Sequence, residues 1–414
     1  MVYDGKAKRL TENKLFAQKV KNKDKIISRY IAFFIFCRFL SNFVPCLTNI
    51  LGAYEVYTDP ILYFLLGIGF IPCLWHVVSG FKLRTIIFIF LSIIVIDTSI
   101  LLFPYNIPAF INTIQSFLLL CVPLVIFVNS VDDYACLRKK LNWMAHCIGW
   151  ILFIVVITSP LGYFDSKYNG EYFAIGYSCM LPALLLAANA VENKSKTSWI
   201  LLIFALVFLL MYGNRLPLFA IVLFCGYFIL RWLYTRRERS KLLLIVMLAV
   251  LLLLILLLFL EDITQYLYTF LLSKGIESRT LMLSLKGGTF SRDPRVEILG
   301  MAIKAIWNQP FTVRGINADM IYLGVYPHNI FIELIYQFGV FFGGILCTII
   351  IYYIIKTLKV GVDTNYGKIC TILMFASIMQ LMVSLSLWNS PYFWAWMVLI
   401  VQNKKLLRIE KSRG

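Results

Sequence analysis

Two short stretches of this sequence place anion-binding and proton-accepting side chains beside long apolar runs. The first is YGNRLPLF, residues 212–219, and the second is VYPHNIFIELIYQFGVFFGG, residues 325–344. In the first, Asn214 can cap a helix, Pro217 fits its first turn and Arg215 stands at the water boundary. In the second, Pro327, His328 and Asn329 open a helix, and Glu333 follows about one turn further in. A guanidinium offers bidentate donors to phosphate, and the free N–H groups of a helix start favour the same negative charge. A neutral imidazole accepts or positions the proton of a hydroxyl. These residue types suit an anionic, hydroxyl-bearing ligand, with His328, Arg215 and Glu333 as the candidate catalytic set. One histidine makes no metal site, so neither a metal nor another cofactor is expected.

Each residue also has a plainer role. Arginines at helix ends ordinarily snorkel to the interface, and Asn329 serves equally as a helix cap or a ligand contact. Asn329 and Glu333, four apart, share a helix face, whereas His328 and Glu333 lie about 140° apart around an ideal helix and are not expected to touch. An acid one turn inside a membrane helix is costly to keep without a purpose. Arg38 and Asp97 also fall within apolar runs. Interhelical packing or a snorkelled head group accounts for them more cheaply than chemistry does.

The elements that must position these groups are membrane helices. The chain has 414 residues, of which 60% are hydrophobic and 14% charged. That is far more apolar than a soluble domain of this length. Apolar runs occur near residues 30–50, 61–79, 84–103, 107–128, 142–160, 172–191, 198–212, 216–234, 241–260, 328–355, 368–388 and 391–403. Each approaches the roughly 20 residues that a spanning helix needs. The expected fold is an all-α polytopic membrane protein with about twelve transmembrane helices.

Charge sets the orientation. With the basic arm 1–29 in the cytoplasm, the clusters Lys82/Arg84, Arg138–Lys140, Lys194/Lys196, Arg236–Lys241, Lys356–Lys368 and the tail 404–414 all fall on that side. An even number of spans, with both termini inside, satisfies the positive-inside rule. The net charge of +18 therefore reports topology, and nucleic acid is not an expected partner. The apolar run after the arm is too long for a signal-peptide core. Ten cysteines without a C-x-x-C pair read as small apolar residues.

The organisation that follows is an N-terminal arm 1–29, spans one to nine over 30–260, a large outer loop 261–327, spans ten to twelve over 328–403, and the tail. A loop of that length is usually functional. It is close to neutral in charge, and Asp293 with Pro294 begins an amphipathic helix, RVEILGMAIKAIWNQP, suited to lying on the membrane or capping a cavity.

Three pieces, in order, resemble the O-antigen ligase and polymerase superfamily of bacterial membrane glycosyltransferases. HNIFIELIYQFGVFFGGIL, residues 328–346, is similar to that family's His-Asn, downstream acid and glycine-rich helix; GNRLPLFAIVLF to its arginine motif; and RVEILGMAIKAIWNQPFTVRGI to its pre-motif helix and glycine turn. The departures are Leu216 and Pro217 where a glycine and a small residue are common, and a turn that keeps Gly315 without a second glycine nearby. The resemblance implies a donor glycan on undecaprenyl pyrophosphate, transferred at the periplasmic side of the inner membrane without a nucleotide sugar or required metal. It implies that Arg215, with Arg292 or Arg295, holds the pyrophosphate, and that His328 orients or deprotonates the attacking hydroxyl. Asn329, Arg279 and Arg314 complete the expected substrate-binding set. A chain-length regulator and a flippase are the expected protein partners.

Polymerisation of O-antigen or capsule repeat units is the favoured reading, and ligation to a lipid A core sugar the alternative. A transporter of lipid-linked sugars would instead collect ionisable groups or broken helices near the midplane, and often internal repeats.

Overall fold

The computed structural model describes residues 22–44, 58–78, 83–158, 171–212, 215–235, 260–273, 285 and 294–401, and among these there is no strand. The helices are α1 (Asn22–Val44), α2 (Thr58–Val78), α3 (Leu83–Leu102), α4 (Ile107–Ser116), α5 (Val122–Ser130), α6 (Tyr134–Thr158), α7 (Glu171–Asn193), α8 (Lys196–Tyr212) and α9 (Arg215–Thr235). They continue as α10 (Leu260–Ser273), α11 (Pro294–Asn308), α12 (Ala318–Tyr322), α13 (Ile330–Val360), α14 (Asn365–Leu381) and α15 (Pro391–Val401). A π turn, Phe117–Cys121, joins α4 and α5 into one rod.

Six helical stretches among the described residues are long and apolar enough to cross a bilayer: Asn22–Val44, Thr85–Leu102, Thr113–Ser130, Tyr134–Thr158, Ile175–Asn193 and Ile330–Val360. Lys196–Leu210, Leu216–Arg231 and Pro391–Val401 are shorter apolar helices, and α2 and α14 fall on the second and eleventh expected spans. The ninth, 241–260, lies outside the described residues apart from Leu260. Along α3, Ile86, Ile87, Phe90, Leu91, Ile93 and Ile94 all face outward. So large an exposed apolar face needs lipid as its solvent.

α7 is the hub. From Leu181 to Ala188 it is buried at every described apolar position, and it packs against α6, α8, α9 and α14. Trp396 of α15 is fully buried, its indole donating to Thr357 Oγ1 at 2.9 Å.

Charge gathers at one end of this bundle. Arg138 pairs with Glu192 and hydrogen-bonds Asn365, Lys368 pairs with the same Glu192, Arg231 pairs with Asp363 at 3.0 Å, and Lys23 pairs with Asp132 at 2.7 Å. These are connections that the basic-residue pattern assigns to the cytoplasm.

The tenth expected span is two elements rather than one. Gly339 interrupts α13 with φ 73° and ψ 168°, a conformation that side chains other than glycine resist. The chain folds back there. Cys347 Sγ lies 3.7 Å from the Phe331 carbonyl oxygen, and each residue is eight positions from Gly339. A Cβ on Gly343 would come within 2.6 Å of the Leu334 carbonyl oxygen, so the close approach of the two arms requires a residue without one. Residues 330–338 are thus a half-helix about 13 Å long, running against the span that starts at Val340. Hydropathy missed this because both arms are apolar.

Candidate functional site

At the end opposite the ion pairs, six parts of the chain line a cavity of about 380 Å3. α1 contributes Arg38 and Asn42, α7 Tyr177 and Ser178, and α11 Arg295. Tyr326 and His328 come from the segment before the half-helix, Gln380, Ser384 and Leu385 from the end of α14 and beyond it, and Pro391 and Tyr392 from α15. Two arginines, a histidine, hydroxyls and amides line it, and among the described residues no carboxylate does. Such a wall favours an anion that also carries groups able to hydrogen-bond.

The sequence builds this arrangement locally. His328 sits at φ 56°, its ring edge-to-face on Tyr326 with centroids 4.5 Å apart. Leu385, on the facing wall, has φ 75°. A bulky residue in the left-handed region costs about 1–3 kcal/mol and persists only where its surroundings hold it. Two such residues line one cavity here, as strain at a functional site does elsewhere.

Asn329 has a structural task. Its side chain accepts from Phe331 N at 3.0 Å and Ile332 N at 3.2 Å, capping the half-helix. The cap fixes the backbone beside His328, while the Asn329 side chain stands outside the cavity lining.

Glu333 is buried and points away from the cavity. Ser386 Oγ donates to it at 2.5 Å, with longer contacts from the Leu387 N–H and Gln337 Nε2, both 3.4 Å. Gln337 Nε2 also donates to Asp319 Oδ1 at 2.9 Å, and Trp388 Nε1 donates to Gln337 Oε1 at 3.1 Å. This network ties the half-helix to α12 and to the 386–388 turn, whose neighbours Ser384 and Leu385 line the cavity. Burial pushes the Asp319 carboxyl up to about 6.

Arg314 is also held within the fold. Its guanidinium donates to the Tyr336 carbonyl at 3.2 Å and the Ala305 carbonyl at 3.0 Å, and it lies 4.9 Å from the Tyr336 ring. The C-terminal carbonyls of α11 and the half-helix attract that cation more directly than a ligand in the cavity. Next to it, Gly315 at φ 84° presses on Phe103, where an added Cβ would meet the ring at 2.5 Å. That contact and the positive φ require glycine at 315. Asn106 Nδ2 donates to the Arg314 and Ile316 carbonyls, and Asn317 Nδ2 to Thr113 Oγ1 at 2.6 Å, pinning this strap to α4 and the turn before it.

α11 follows the expected amphipathic pattern over Pro294–Asn308. Ala302 is buried against Ala318 and Tyr336, while Trp307 and Phe311 face outward. The helix therefore lies on the half-helix and delivers Arg295 to the cavity. Arg215 begins α9, whose far end carries Arg231 and its ion pair with Asp363. Twenty-one residues of helix span about 30 Å, which puts Arg215 at the cavity end. Its side chain, and residues Arg279 and Arg292, lie outside the described residues.

Of the expected site residues whose side chains are described, the structure brings His328 and Arg295 together on one cavity and assigns Asn329, Glu333 and Arg314 to the scaffold around it. Among the lining residues outside the expected set is Arg38. Its charge inside an apolar run was the available signal, and packing or snorkelling explained it away.

No curated protein and no solved structure matches the chain. Residues 181–349 match the family model described as O-antigen ligase. The matched segment runs from the hub helix through α9, α11, the histidine segment and the glycine hairpin, and over that part of its length the chain is similar to the O-antigen ligase family.

Proposed function

We propose that the protein is a membrane glycosyltransferase that polymerises undecaprenyl-pyrophosphate-linked oligosaccharide repeat units at the periplasmic side of the inner membrane. The observation that carries this reading is the cavity at one end of the bundle, cationic, rich in hydroxyls and amides, free of lining carboxylates and containing His328. A pyrophosphate leaving group and a sugar acceptor call for that combination.

In the reaction, an acceptor hydroxyl oxygen bonds to the anomeric carbon of the donor sugar as that carbon's bond to the pyrophosphate oxygen breaks. The hydroxyl proton passes to the His328 imidazole, and both bonding electrons leave with the pyrophosphate. Arg295, together with Arg215 at the same end, stabilises the charge that develops on it. The strap and the capped half-helix hold the imidazole against the cavity, and orientation of two membrane-anchored substrates supplies much of the rate.

A second reading, equally compatible with the matched family, takes a lipid A core sugar as the acceptor. Purified protein in liposomes with lipid-linked repeats and no energy source separates the possibilities. Lengthened glycan on the carrier lipid is the expected product. Transfer that requires added lipid A core indicates a ligase, and no transfer to either acceptor refutes the glycosyltransferase reading.

A further inference from the structure

Arg38 is the charged residue whose position the fold itself does not explain. Lys23, on the same helix, is fixed to Asp132 at the opposite end of the bundle. Fifteen residues of α-helix carry the chain about 22 Å from there to Arg38, which is why this side chain reaches the cavity. A guanidinium on a membrane helix costs about 2.5–3.5 kcal/mol on insertion scales. Elsewhere in the described chain such a cost is offset: Arg138 has Glu192, Arg231 has Asp363 and Arg314 has three backbone carbonyls. Arg38 forms no ion pair with a carboxylate among the described residues, and no carboxylate lines the cavity into which it fits.

Arg38 and Arg295 come from different walls, α1 and α11, with His328 on a third. Two guanidinium groups bracketing a cavity of about 380 Å3 match two linked phosphates better than one. The geometry points to Arg38 as a binding residue for the pyrophosphate of a lipid-linked donor, contributed by a helix outside the matched segment 181–349. This rests on the glycosyltransferase reading for the identity of the donor, while the binding of a prenyl pyrophosphate stands apart from turnover. Asn42, one turn beyond Arg38 on the same face of α1, donates to the Arg38 carbonyl at 3.2 Å and helps fix that wall.

The test uses the full chain in detergent micelles, with farnesyl pyrophosphate, farnesyl monophosphate and phosphatidylglycerol as probes. The wild type should bind the pyrophosphate at least tenfold more tightly than the monophosphate. Arg38→Gln should weaken pyrophosphate binding at least tenfold, bring the two prenyl probes to similar affinity, and melt no lower than wild type without ligand, since it removes an uncompensated charge. Arg38→Lys should retain binding with a several-fold loss and a reduced preference for two phosphates over one. Unchanged pyrophosphate affinity in Arg38→Gln overturns the assignment, as does a lower melting temperature, which would mark a structural arginine. Phosphatidylglycerol competing as well as the prenyl pyrophosphate overturns it in favour of a bilayer headgroup site. Pyrophosphate binding that depends on Arg38, without glycan transfer, would sink the glycosyltransferase reading and leave this one standing.

Discussion

At the end of the bundle away from the cavity, Arg138 and Lys368 converge on Glu192 and Arg231 meets Asp363; at the cavity end, Arg38 and Arg295 face a space that no carboxylate among the described residues lines. The residue types are alike, and their partners differ. Where basic groups find acids within the chain, their charge holds connections together. Where the described lining offers no acid, as beside Arg38, the charge is the one we assign to a ligand.

This contrast can be broken by experiment, and the largest expected effect is at the cavity. His328→Ala should lower glycan transfer by about 10²–10⁴-fold, the usual worth of a general base, with insertion and melting temperature close to wild type. Full polymer length in that variant, read on a gel of extracted glycan, would remove His328 from the site. At the opposite end, Glu192→Gln leaves two partly buried cations without their acid. It should cost about 3–5 kcal/mol of stability, measured by thermal melting in detergent, while transfer per folded molecule is unchanged. A selective loss of activity with normal stability would show that the two ends are not separable in this way.

Asp319 lies between these cases, a buried acid on the scaffold beside the cavity. Because its folded-state value is raised from 3.8 to about 6, the folded protein holds that proton more tightly than the unfolded chain does. The stabilisation is fully present below about pH 3.8 and is lost as pH rises through about 6. Asp319→Asn should therefore flatten the fall in melting temperature between pH 4 and 7. An equally steep fall in the variant would assign the dependence to another group. The smallest effect is expected at the half-exposed Arg231–Asp363 pair: Asp363→Asn should change stability by less than about 1 kcal/mol and leave transfer unaltered.

The sequence by itself determined the helical class and the approximate positions of most of the described apolar helices, because lipid forces the chain to satisfy its backbone within helices. It also picked out His328, Arg295 and the amphipathic helix 294–308, each visible as a polar break or a periodic pattern. Only the tertiary structure decided that Glu333, Asn329 and Arg314 bond within the scaffold and that Arg38 lines the cavity. Such assignments depend on which groups lie across from one another, and residues 38 and 328 come from segments too far apart for spacing to relate them. The reversal at Gly339 was equally hidden: hydropathy measures the solvent a segment prefers, and both arms prefer the same one, whereas the turn depends on a single residue's backbone angles and on the missing Cβ at Gly343.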